Sequence, residues 1–264
     1  MSLSPVQDHV GPRHLVQLYG SDNRSFIKNV SRFLTQALEQ EGGALIIATP
    51  EHRDAIYRKL WSHRISPFAA EEEHRLVMMD AGKTMAQFMV GGKPDWDRFE
   101  SVIGGALRRV RTGKATAARH AFGEVVAVLW KAKRFSEAVC LEQYWNRLLQ
   151  SSGFSLFCGY PVDVFSTDFH GDAMDAVLCA HSHLLPTNDK LESVLHHAMD
   201  EVLGSLGAMI RERYVEQEPS QPSRLPPGEG LVRWLRTNLP EDADEILRLA
   251  RRHFHDSQQL VSRN

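Results

Sequence analysis

The stretch RHAFGEVVAVLWKAKRFSEAVCLEQYWNRLLQSSGFSLFCGYP, Arg119 to Pro161, decides how the rest of the chain is read. It begins with a short apolar segment carrying one acid, Phe122-Gly123-Glu124-Val125-Val126, which reads as a strand. Helical sequence follows, with Leu141, Tyr144, Trp145, Leu148 and Leu149 on one face. Aromatics at that spacing belong to a core face. A second apolar run, Phe154-Ser155-Leu156-Phe157-Cys158-Gly159-Tyr160, ends the stretch in a Gly-Tyr-Pro turn. Strand, crossover and strand make one unit of a parallel α/β sheet. Polar groups at the ends of such strands line a ligand crevice.

Upstream the same alternation continues. His14-Leu15-Val16-Gln17-Leu18-Tyr19 reads as a strand, Gly20-Ser21-Asp22-Asn23 as a turn, and Phe26 to Leu38 as an amphipathic helix. Ala44-Leu45-Ile46-Ile47-Ala48 is apolar throughout, the pattern of a strand buried on both faces. Thr49 and Pro50 suit the cap and first position of the next helix. Leu76 to Asp80 is a third strand, and Asp95 to Thr112 a helix with a basic end. Downstream, Gly171 to His183 reads as a helix stopped by Pro186. The expected organisation is a flexible leader (1–13), an α/β domain (14–186), a long helix (187–215), a linker rich in Pro, Gly, Ser, Gln and Glu (216–230) and a small helical tail (231–264). That tail is too short for much core of its own and should pack on the main domain or on a partner.

The 264 residues suffice for one large α/β domain with an extension. A formal net charge of −2 gives no general pull toward nucleic acid or anionic membrane. No apolar run approaches the ~20 residues of a spanning helix, and the first residues lack a signal-peptide pattern. Cys140, Cys158 and Cys179 are odd in number and widely spaced, which fits reduced core residues rather than disulfides or a zinc knuckle. A cytoplasmic protein without cofactor or metal is the plain expectation.

A phosphate-binding loop needs GxxxxGK[ST]. After the first strand stands Gly20-Ser21-Asp22-Asn23-Arg24-Ser25-Phe26, with one glycine, no lysine and an Asp that would repel phosphate. Gly82-Lys83-Thr84 has the last letters of the motif, but Val77 stands where its first glycine belongs. ATP hydrolysis is therefore not expected. Asp22, Glu51, Asp80 and Glu124 lie in or just after strands and could converge at one edge. Glu124, flanked by apolar residues, needs a partner such as Arg119, His120 or a ligand, or else caps a helix start. His181 and His183 are two apart and suit one metal poorly on a helix, so a helix-end capping role is favoured.

The segments HLVQLYGSD, ALIIATPEHRDAI, FGEVVAVLW, LEQYWNRLLQSSGFSLFCGYPVDVF and CAHSHLLP resemble the MEDS family, the sensory domain named after methanogens, methylotrophs and the regulator DcmR. The likeness covers about His14 to Pro186, with the segments in order. It implies a RecA/KaiC-like, mostly parallel sheet flanked by helices with a degenerate nucleotide loop, extended here by C-terminal helices. It also implies a cytoplasmic sensory module of the kind found in histidine kinases and transcription regulators, sensing small hydrocarbon derivatives without catalysis. Residues 187–264 contain neither a kinase core nor a helix-turn-helix, so output is expected through a separate signalling partner or through self-association. Motif position and strand-end logic nominate His14, Tyr19, Asp22, Glu124, Tyr160 and His181 for the ligand. Two alternatives stay open: a residual nucleotide-binding enzyme using Glu51 or Glu124 as base, and a pure interaction protein.

Overall fold

The computed structural model describes residues 13–216 and 225–261. Residues 1–12 of the expected leader and most of the expected linker (217–224) lie outside the described residues. In chain order come β1 (His14–Leu18), α1 (Arg24–Glu39), β2 (Gly43–Ala48), α2 (Pro50–Ser62), α3 (Pro67–Glu72), β3 (Leu76–Asp80) and α4 (Ala81–Phe88). A two-residue hairpin of β4 (Met89–Val90) and β5 (Lys93–Pro94) follows, then α5 (Trp96–Phe99), a π turn at Glu100–Gly104 and α6 (Gly105–Arg109). Next are β6 (Arg119–Gly123), α7 (Val125–Lys131), α8 (Phe135–Ser152), β7 (Ser155–Tyr160), α9 (Asp172–Ala180) and β8 (His183–Leu185). The chain closes with α10 (Leu191–Leu203), α11 (Ser205–Glu216), α12 (Pro227–Asn238) and α13 (Pro240–Val261).

Six strands form one sheet in the order β3-β2-β6-β7-β1-β8, flanked by helices, a RecA-like α/β arrangement. The apolar run in β2 is fully buried, as expected of a central strand. It runs parallel to β3, with Ala48 opposite Asp80, and parallel to β6, with Ile47 opposite Gly123. β6 runs parallel to β7, with Gly123 opposite Cys158. This register brings the chain just beyond β2, β3 and β6 to the same edge. Two compact units divide the chain, one of Ile27–Tyr160 with the residues up to Leu15, the other of Val16–Phe26 with the chain from Pro161 onward.

The first unit shows one difference in its central stretch. The sequence pattern extends the sixth strand through Glu124 to Val126, but β6 stops at Gly123 and Val125–Lys131 is helical. Continuous apolar sequence cannot by itself separate a buried strand from a buried helix, and Val125, Val126, Ala127, Leu129 and Trp130 of α7 are all buried. The expected helix over 95–112 is present from Trp96 to Arg109 but carries the π turn, across which Arg108 pairs with Glu100 at 2.8 Å.

In the second unit α9 ends at Ala180 rather than His183, because His183 to Leu185 joins the sheet as β8. The helix expected over 187–215 is broken into α10 and α11 at Gly204, whose φ of 56° and ψ of −131° only glycine adopts without strain. α10 packs on α11, α12 and α13, so the C-terminal helices share a core. Leu191, Leu195, Ala198 and Met199 are buried on its inner face, as are Leu231, Leu235, Ile246 and Leu247 of its neighbours. Arg251 pairs with Asp163 at 2.6 Å, Arg236 donates to the Phe165 carbonyl at 3.1 Å, and Arg233 pairs with Asp175. The helical tail is thereby tied to the segment that follows β7. No helix among the described residues is long and apolar enough to cross a membrane.

Candidate functional site

Two buried carboxylates organise the first unit, and the sequence pointed to one of them. Glu124 caps α7 directly after β6, and its N–H donates to the Ile47 carbonyl at 2.8 Å. The side chain is fully buried. Oε2 accepts from the N–H and the hydroxyl of Thr49 at 2.7 and 3.0 Å. Oε1 lies 2.7 Å from Nδ1 of the buried His52. A carboxylate is thus set at the start of α2, where unpaired helix N–H groups favour negative charge. The expected partners Arg119 and His120 are engaged elsewhere. Arg119 donates to the Val110 carbonyl, and the His120 ring bonds through Nδ1 to the Phe33 carbonyl at 2.7 Å and stacks on the Phe33 ring. Burial lowers the His120 pKa to about 4.

The second carboxylate, Glu142, is fully buried beneath α8. Positions i and i+4 share a helix face, and α8 uses that spacing to present Glu142 and Asn146 inward. β7 uses the two-residue period of a strand to present Cys158 and Tyr160 from the same face. His14, the first residue of β1, completes the group. Its Nδ1 lies 2.9 Å from Oδ1 of Asn146. A carbonyl oxygen only accepts, so Nδ1 donates and Nε2 of a neutral ring is left with its lone pair. That Nε2 lies 3.3 Å from Glu142 Oε2 and 3.5 Å from Cys158 Sγ. Cys158 Sγ is 3.8 Å from Glu142 Oε2, and the Tyr160 hydroxyl donates to Oε1 at 2.5 Å. Burial, reinforced by the Glu142 charge, pushes the Cys158 thiol and the Tyr160 phenol well above their ordinary values.

Among the six nominated residues, His14 and Tyr160 are therefore brought together by Glu142, whereas Glu124 belongs to a separate group. The other three lie in the second unit. Tyr19 is buried and stacks on Phe26 at 4.3 Å. Asp22 is held by Arg24 in a two-point fork, Nε to Oδ1 at 3.0 Å and Nη2 to Oδ2 at 2.7 Å, and that guanidinium holds its carboxyl below the usual range. His181 caps the end of α9, with Nδ1 at 2.7 Å from the Val177 carbonyl. Asp80 also serves as a helix cap, accepting the Lys83 N–H at 2.8 Å, so Gly82-Lys83-Thr84 forms a helical turn rather than a loop. Glu51 is exposed.

Sequence reasoning missed Glu142, Asn146 and Cys158 as site members. A signal was present: Glu142 and Asn146 are spaced four apart and immediately follow the apolar Leu141 and Trp145, and Cys158 and Tyr160 alternate within an apolar strand. The three cysteines are free; Cys158 is buried, Cys140 partly so, and Cys179 is exposed rather than in the core.

A RecA-like sheet with a buried His-Glu-Cys-Tyr group under one helix, and no lysine in the turn after its first strand, describes an α/β domain built to enclose polar chemistry. The model of the MEDS family, the MEthanogen/methylotroph, DcmR Sensory domain, matches residues 13–182. This is more than half of the chain, which belongs to that family. No curated protein matches it.

Proposed function

We propose that the chain is a ligand-responsive sensory module that works without catalysis and in the cytoplasm. The MEDS domain takes a small molecule, of the size and polarity of a simple hydrocarbon derivative, and the C-terminal helices pass its occupancy to a separate signalling protein such as a histidine kinase or transcription regulator. The observation that carries this reading is the buried group of His14, Glu142, Cys158 and Tyr160. Enclosing a carboxylate and an imidazole costs several kcal/mol unless they are fully compensated, and a domain has only about 5–15 kcal/mol of net stability. Four polar side chains gathered in the core offer the donors and acceptors with which a small polar ligand is recognised. The ties of Arg251, Arg236 and Arg233 to Asp163, Phe165 and Asp175 give the tail a route to feel the end of the MEDS match. A ligand with unequal affinity for states in which these ties are made and broken would shift the populations of those states.

Native mass spectrometry of the full chain from its own host, before and after denaturation, tests the proposal. A small molecule retained by the native chain and lost from Tyr160→Phe supports it. Failure of both host extract and a panel of short alcohols, aldehydes and halogenated alkanes to bind or to raise the melting temperature would overturn it.

A further inference from the structure

The polar atoms inside the Glu142 group stand at two kinds of separation. Glu142 Oε1 makes a short bond to Tyr160, at 2.5 Å. Oε2, however, stands 3.3 Å from His14 Nε2 and 3.8 Å from Cys158 Sγ. A charge-assisted bond between imidazole and carboxylate contracts to about 2.7–2.9 Å. The separations match something else. With zinc bonds of about 2.0–2.2 Å to nitrogen or oxygen and about 2.3 Å to sulfur, a tetrahedral shell sets N to O at about 3.3 Å and sulfur to either at about 3.6 Å. The three separations in the protein are 3.3, 3.5 and 3.8 Å.

The surroundings agree with that geometry. The three ligand atoms lie within 4.8 Å of one another in a cluster of metal-holding residue types, all buried. Asn146 fixes the His14 tautomer through Nδ1, the outer-shell contact that histidine ligands of metals use, and Tyr160 secures the other oxygen of Glu142. Nitrogen, oxygen and sulfur donors together select a borderline-soft cation over magnesium or calcium.

We propose that His14 Nε2, Glu142 Oε2 and Cys158 Sγ are three ligands of a buried divalent-cation site of the zinc type. Loading breaks the Cys158 S–H bond and forms a sulfur–metal bond; the proton leaves to solvent and no electron is transferred. The site rests on its own geometry and not on the sensing reading, since a structural cation would use the same three atoms.

A second trio, His197, Glu201 and His253, has mixed exposure on the surface of α10 and α13 and must be separated from it. The test is titration of the full chain with cobalt(II) after chelator treatment, with metal content measured after dialysis. The expected result is one tightly held equivalent with a thiolate-to-cobalt charge-transfer band, unchanged in His253→Ala and lost in Cys158→Ser. Asn146→Ala, which keeps all three ligands, should weaken binding about 10–100-fold and keeps the test valid where Cys158→Ser fails to fold. Binding without a thiolate band, binding lost only in His253→Ala, or no retained cobalt would each overturn the proposal. Retention of an organic ligand is read separately by native mass spectrometry, so failure of the cation site and failure of the sensing reading are distinguishable.

Discussion

Glu124→Ala should be among the most damaging single substitutions in the first unit. The carboxylate accepts from the Thr49 N–H and the Thr49 hydroxyl at 2.7 and 3.0 Å, and its other oxygen lies 2.7 Å from His52 Nδ1. Thr49 is partly exposed and its hydroxyl can turn to water, whereas His52 is buried. Removing the acceptor leaves buried polar groups around it unsatisfied, at about 1–3 kcal/mol. The lost carboxylate at the start of α2 adds about 0.3–1 kcal/mol. At about 2–4 °C per kcal/mol for a unit of this size, the melting temperature should fall on the order of 10 °C. Urea unfolding of the full chain, followed by tryptophan fluorescence from Trp130 and Trp145, measures the difference. A loss below about 1 kcal/mol would refute the view that Glu124 holds β6 to the head of α2.

Two further effects follow from single residues. His120 has its pKa depressed to about 4 by burial, so the unfolded chain binds the proton more readily and stability rises with pH between about 4 and 6.5; acidifying across that window should cost the natural chain about 3 kcal/mol more than His120→Gln, read from urea midpoints at each pH. Gly204→Ala meets no atom within 4 Å but forces a positive φ on a residue with a β-carbon, so it should destabilise the C-terminal helices by about 1–3 kcal/mol, seen in the Trp234 fluorescence transition.

The fold was legible where pattern and packing agree. The all-apolar run 44–48 and the Thr49-Pro50 pair specify a buried strand and a helix start without help from distant residues. Legibility failed at Val125 and Val126, where β-branched residues favour a strand but the chain turns helical directly after Glu124. The Glu124 side chain at that turn is engaged by Thr49 and lies against His52, more than seventy residues upstream. It failed again at Gly204, whose break depends on a positive φ rather than on a gap in the apolar spacing. For the candidate site, strand position gave His14 and Tyr160 but could not give Glu142. One acid on an otherwise apolar helix face looks like an imperfection in a core until the strand beneath supplies a cysteine and a tyrosine at the same height.

The two buried glutamates are held in different ways. Glu124 makes three contacts of 3.0 Å or less. Glu142 accepts the Tyr160 hydroxyl at 2.5 Å, and its other oxygen stands 3.3 Å from His14 Nε2 and 3.8 Å from the Cys158 thiol. Replacing Glu142 by Gln tests this reading with almost no change in shape. The amide oxygen can accept the Tyr160 hydroxyl, while the amide N–H donates to His14 Nε2, whose lone pair is fixed by the bond from Nδ1 to Asn146. A buried charge is removed and each polar atom keeps a partner, a change that is often neutral or stabilising. In chelator-treated buffer Glu142→Gln should therefore lie within about 1 kcal/mol of the natural chain, while cobalt retention falls sharply. A loss above about 2 kcal/mol in that buffer would mean that the Glu142 charge stabilises the fold as an ion pair with protonated His14. The cluster would then be structural in the same sense as Glu124, and the distances of 3.3 to 3.8 Å would need no cation to explain them.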